Sequence, residues 1–116
     1  MALQQGSIIW VVVSDHAGRN PKCRPAVVVT PTNEIVEGET FVVVAATSTI
    51  SKPLPDNHID LPWKADRHPV TGLFKRCVAV CDWLAEISHS DVEAVGGIVP
   101  PTVLNQILSQ IPASDS

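Results

Sequence analysis

The stretch Cys23-Arg24-Pro25-Ala26-Val27-Val28-Val29-Thr30-Pro31 decides the fold class. Residues 26–30 are short, β-branched and closed by the turn-forming Pro31-Thr32-Asn33, which predicts a strand between turns. Proline removes a ladder donor, so Pro25 is expected at the strand's first residue. The pattern repeats on both sides. Ile8-Ile9-Trp10-Val11-Val12-Val13 precedes it and runs into the turn-rich 14–21, and residues 41–47 follow a loop containing Gly38. Three such runs at this spacing predict a twisted antiparallel meander.

Further along, His58-Ile59-Asp60-Leu61 alternates polar and apolar residues as a half-exposed edge strand does, and Pro62 ends it. Residues 73–87 are long enough for a strand that bends or turns a barrel corner. Residues 90–95 read equally as a short helix capped by Ser90 or as one more strand. After Gly96-Gly97, the pair Pro100-Pro101 precedes Val103, Leu104, Ile107, Leu108 and Ile111 at helical spacing, which predicts a terminal amphipathic helix packed on the sheet. The expected architecture is mainly β, a small barrel or curled sheet with a C-terminal α-helix. It forms one domain over 1–112 with a frayed tail at 113–116.

A length of 116 residues leaves room for one core only. The longest apolar runs, 8–13 and 41–46, fall far short of the roughly 20 residues a membrane-spanning helix needs. The opening Met1-Ala2-Leu3-Gln4-Gln5 lacks the basic start and apolar stretch of a signal peptide, so a cytoplasmic location is expected. Twelve carboxylates against eight Lys and Arg argue against a broad nucleic-acid-coating surface but leave room for a local basic site. Basic residues group at Arg19, Lys22 and Arg24, and again at Lys75 and Arg76. Cys23, Cys77 and Cys81 show no metal-type spacing and are expected as free, small, buried apolar residues. No phosphate-cradling glycine loop, nucleophile elbow or spaced ligand pair is present, so neither a metal nor another cofactor is expected.

Among the histidines, His58, His68 and His89 are expected to be solvent-facing loop residues. His16 follows the first strand beside Asp15 and close to Arg19, where an imidazole can carry a proton near neutral pH. Arg24 projects from a rigid strand start, which suits phosphate recognition or pairing with a nearby carboxylate. Thr47-Ser48-Thr49 can bond a phosphate oxygen or a turn backbone, the turn being the commoner role. Trp10 and Trp83 read as core. Trp63 either stacks on a base or partner or packs the barrel rim.

Taken in order, Gly6-Ser7-Ile8-Ile9-Trp10-Val11, then residues 23–31, then Val42-Val43-Val44-Ala45-Ala46-Thr47-Ser48-Thr49 resemble the PemK/MazF family of toxin–antitoxin ribonucleases. Gly72-Leu73-Phe74-Lys75-Arg76-Cys77 resembles its fourth motif, and Gly97-Ile98-Val99 with the following helix resembles its C-terminal pattern. The resemblance implies an SH3-like barrel that forms a homodimer, with single-stranded RNA in a groove across the dimer face. RNA is then cut without a metal by attack of the 2′-hydroxyl, and a cognate antitoxin holds the toxin inactive. Carried onto this chain, Arg24 stabilises the phosphate under attack and Thr47 and Ser48 help hold it. Arg19, Lys22, Lys75 and Arg76 are the expected RNA contacts.

Several family members place an acidic residue in the fourth motif, where this chain reads Lys75-Arg76-Cys77. With that carboxylate missing, His16 and Asp15 become the candidates for general acid and base. The alternative reading is a catalytically weakened or inactive member acting as an antitoxin-binding or regulatory module. Gyrase-poisoning, CcdB-like toxins share the resemblance in fold. They rely on an aromatic C-terminal ending, whereas this chain finishes Ala113-Ser114-Asp115-Ser116.

Overall fold

A computed structural model describes residues 3–14, 19–36, 38–50 and 52–111. Asp15, His16 and the expected tail at 113–116 lie outside them. Six strands, β1 (Ser7–Val13), β2 (Lys22–Val28), β3 (Thr40–Thr47), β4 (His58–Asp60), β5 (Val78–Ser88) and β6 (Val92–Ile98), make one sheet, and α1 (Pro101–Gln110) follows. The order β4-β5-β3-β2-β1-β6 keeps the meander β1-β2-β3 intact, and every pairing is antiparallel. Among the described residues β4 and β6 do not pair with each other, so of the expected barrel or curled sheet the chain forms the open one.

Alternation sends neighbouring side chains to opposite faces, and both faces are covered. Ile8, Val27, Val44, Leu61, Leu73 and Ile107 share one buried cluster, while Ile9, Val11, Ala26, Val28, Phe41 and Val43 share the other. Such two-sided burial explains strands that are apolar at nearly every position. The helix lies on the first face: Ile107 is buried, and Val103, Leu104, Leu108 and Ile111 pack against that cluster. Pro101 begins the helix, where its missing N–H leaves no bond unmade.

Three local departures shape the site. First, β2 starts at Lys22, so Pro25 sits inside the strand and not at its head. β1 pairs along the whole segment, with Trp10 opposite Pro25, but β3 joins only from Ala26. At Pro25 the β3 side therefore requires no donor, and the proline is tolerated as on an edge strand. Lys22, Cys23 and Arg24 thereby project beyond the three-strand ladder, and Cys23 is exposed, not buried.

Second, β5 bends. It pairs with β3 in two blocks, Val43↔Ala85 and Val44↔Leu84 on one side and Ala46↔Ala79 and Thr47↔Val78 on the other, with a register shift between them. Residues 80–83 are left over as a bulge opposite Ala45, and there Val80 takes up pairing with His58 of β4. Cys77, just before β5, and Cys81, within the bulge, are buried. Burial pushes both thiols up, Cys81 to about 11 with a further push from the Asp82 charge.

Third, residues 92–98 form a strand, preceded by a tight turn over His89–Asp91. The Ser88 and Asp91 side chains cap that turn reciprocally. Gly96 and Gly97 lie within β6. The loop at 70–72 runs directly over them, and the Ile98 amide donates to the Val70 carbonyl at 3.0 Å.

Candidate functional site

The projecting start of β2, the end of β3, β4 and the β5 bulge surround two adjoining clefts. The larger, of about 710 Å3, is lined by Asn20, Lys22, Arg24, Thr47, Thr49, Asn57, His58, Asp82 and Trp83, with Pro55 and Val80. The smaller, of about 150 Å3, adds Trp10, Cys23, Ser48, Lys75 and Cys77. Lys22, Arg24, Thr47 and Thr49 line both and so form the ridge between them.

Arg24 is half-buried and held from three sides. Its guanidinium lies over the Trp83 ring, 5.1 Å from the centroid. Its Nε donates to the Val13 carbonyl at 3.4 Å, and Nη2 donates to the Asn20 carbonyl at 3.3 Å. Of the two alternatives for Arg24, pairing with a described carboxylate is not seen. A fixed, planar cation with donors to spare remains at the ridge. Thr47 Oγ1 accepts the Thr49 amide at 3.1 Å, so it does serve the turn, yet its hydroxyl proton is left to donate toward a ligand.

The basic residues divide. Lys22 lines both clefts and Lys75 the smaller one, while Arg19 lines neither. Arg76 also lines neither; its Nε and Nη2 each donate at 2.9 Å to the two oxygens of Asp60, a bidentate pair tying the end of β4 to the segment before β5. The hydrogen bond and the charge of Arg76 hold the Asp60 carboxyl below its ordinary 3.8, with slight burial opposing. A carboxyl depressed by folding stabilises the fold above its unfolded value and loses that contribution as pH falls through the lower folded one. Both side chains are half exposed, so the effect is small. Asp60→Asn is expected to melt slightly below the wild type at pH 7, with the two melting temperatures converging as pH drops below 3.8; melts across pH check this.

The remaining aromatic and imidazole groups are placed differently from expectation. His58 is not a loop residue; it begins β4, is half-buried and lines the larger cleft. Its Nδ1 is buried with no hydrogen-bond partner among the described residues. His68 is structural, its Nδ1 accepting the Val70 and Thr71 amides at 3.1 and 3.2 Å. His89 stands edge-on to the buried Phe41 at 5.1 Å. Trp83 packs against the second core cluster as expected, but it is only half-buried and also forms a wall of the larger cleft beneath Arg24. Trp10 packs against the first core cluster, stacks on Phe74 at 6.4 Å and reaches the smaller cleft. Trp63 is exposed.

Asp82 supplies a carboxylate to the larger cleft, at a position where none was anticipated. The fourth-motif segment 75–77 lacks one, but the β5 bulge delivers Asp82 from five residues beyond Cys77. The available signal was a lone charge inside the apolar run Val78-Ala79-Val80-Cys81-Asp82-Trp83. Among the described residues, no three His, Cys, Asp or Glu side chains cluster as a metal ion requires. No described helix is long and apolar enough to cross a membrane.

The sequence profile described as PemK-like, MazF-like toxin of type II toxin-antitoxin system matches residues 4–114. This chain belongs to that family. Solved PemK/MazF-type structures share its fold. MazF (Form-I) from Deinococcus radiodurans superposes with a TM-score of 0.72 at 18% identity, covering 96% of this chain and 94% of that one. An endoribonuclease in complex with its cognate antitoxin from a mycobacterial species gives 0.70 at 16% identity, over 95% and 91%. The MazE-MazF complex (Form-II) from Deinococcus radiodurans gives 0.66 at 18%, over 96% and 92%. No curated protein matches in sequence. At these identities the similarity concerns the fold, and the PemK/MazF assignment rests on the profile.

Proposed function

We propose that this PemK/MazF toxin is an endoribonuclease that cuts single-stranded RNA by internal attack of a 2′-hydroxyl. One observation carries the reading: Arg24, clamped between Trp83 and two backbone carbonyls, stands on the ridge shared by both clefts with Lys22 and Thr47 beside it. A phosphodiester seated on the ridge has the cations of Arg24 and Lys22 at its oxygens and the Thr47 and Ser48 hydroxyls as further donors. The nucleotides on either side of it enter the two clefts. The 2′-oxygen bonds to phosphorus, the P–O5′ bond breaks, and negative charge grows on the phosphoryl oxygens where Arg24 is preorganised to meet it. Asp82 takes the 2′-hydroxyl proton, and the His16 imidazole returns one to the departing 5′-oxygen. The products are a 2′,3′-cyclic phosphate and a 5′-hydroxyl. Charge stabilisation comes from side chains, so no metal enters the scheme.

The weakened-member reading rests on an absent fourth-motif carboxylate and on net acidity; the Asp82 carboxylate in the larger cleft supports the active reading instead. Complexes of the relatives with antitoxins support a cognate antitoxin as partner. A homodimer acting in the cytoplasm completes the proposal. The test is incubation with long single-stranded RNA in EDTA followed by analysis of the new ends. Cyclic or 3′-phosphate ends opposite 5′-hydroxyls are expected, with Asp82→Asn slower by roughly 100-fold or more. RNA left intact by folded protein refutes the activity.

A further inference from the structure

The two clefts differ in chemistry as well as size. The smaller, about 150 Å3, is ringed by Lys22, Arg24, Lys75 and hydroxyls, a setting for phosphate and sugar. The larger, about 710 Å3, is far roomier than a phosphate needs, and away from Lys22 and Arg24 it offers indole, amide and imidazole beside the Asp82 carboxylate. Trp83 contributes the aromatic wall, stiffened by the guanidinium over its ring. Asn57 is anchored by its backbone carbonyl, which accepts the Cys81 amide at 2.9 Å. His58 follows at once on β4, with a buried Nδ1 that has no partner among the described residues. An aromatic surface rimmed by hydrogen-bonding groups receives an unstacked nucleobase, because every base has a flat π face and a patterned polar edge.

We infer that the larger cleft holds the base adjoining the scissile phosphate and that Asn57 and His58 read its edge, which makes them the residues that set cleavage specificity. The inference rests on the ribonuclease reading above. Asn57 presents a donor and an acceptor side by side, the pairing that discriminates between base edges when it is bidentate. His58 adds a third polar group whose buried nitrogen gains a partner when the base arrives. Both residues sit at the sheet's edge, where the Asp60–Arg76 pair steadies β4, so they can be exchanged with little disturbance to the core.

The test sequences the new ends produced from a randomised single-stranded RNA pool. Wild type is expected to favour particular bases next to the cut by about tenfold or more. Asn57→Asp replaces the amide donor with a second acceptor, so preference is expected to move by about tenfold toward bases that donate through an exocyclic amine and away from uracil. His58→Gln is expected to alter the same position's preference and no other. These are ratios within one variant, so partial loss of folded protein cancels. An unchanged profile in both variants, or uniform slowing at all sites, overturns the inference while leaving the nuclease standing. If wild type cuts no RNA, the nuclease reading fails, and binding of 3′-AMP, 3′-CMP, 3′-GMP and 3′-UMP followed by tryptophan fluorescence decides the base site. Selective binding that Asn57→Asp redirects supports it; indifferent or absent binding overturns it.

Discussion

Arg24→Ala is expected to lower RNA cleavage in EDTA by roughly 100- to 1000-fold, the cost of deleting one preorganised donor from a site of developing negative charge. The loss should fall on kcat, because Lys22 and Lys75 remain to attract the phosphate backbone in the ground state. Arg24→Lys is not expected to rescue. A lysine keeps the charge but has no planar fork to bond the Val13 and Asn20 carbonyls while lying flat on Trp83 and still facing the ridge. Folding should survive both changes, since the side chain is half-buried at a rim and belongs to neither core cluster. Cleavage assays alongside circular dichroism and thermal melts check this. A folded Arg24→Ala protein that cuts at the wild-type rate would remove Arg24 from the mechanism.

Gly97→Ala is expected to be the costliest single-atom addition, at about 3 kcal/mol, or roughly 10 °C in Tm. A Cβ there would overlap the Val70 carbonyl oxygen and come within 2.7 Å of the Thr71 carbonyl. Those atoms are backbone and cannot rotate aside, and the loop that carries them is fastened. Thr71 Oγ1 donates to the Pro62 carbonyl at 2.8 Å, and Leu73 beyond it is buried. Lifting the loop would unseat Leu73, part the Phe74 ring from Trp10 and shift Lys75 at the smaller cleft. Gly38→Ala is the control: its φ of +88° is strained for alanine, but nothing lies within 4 Å, so about 1 kcal/mol is expected. Equal melting temperatures for the two variants would show that the loop does not lie on β6 in solution.

Much of the fold was open to reading because it is written in local pattern. β-branched runs between turn residues mark β1 to β3, and the five apolar positions of the helix fall on the face that meets the core. The ridge was legible too, in Arg24 at a rigid strand start and Thr47 at a strand end. Where the structure differs, the cause is shared. Immediate neighbours make Pro25 a strand's beginning and Trp83 core alone; the deciding contact comes from a segment distant along the chain, β3 stopping at Ala26 in the first case and Arg24 reaching across to β5 in the second.

The site shows the same division. Local chemistry determined that an arginine and hydroxyls stand at strand ends, because propensity and backbone geometry act over a few residues. Whether a carboxylate and an imidazole join them depended on the β3–β5 register, which leaves residues 80–83 unpaired with β3 and brings β4 alongside. That register is a compromise among side chains packing on both faces of the sheet. No window of sequence contains it, and so Asp82, His58 and Trp83 became visible only once the chain was folded.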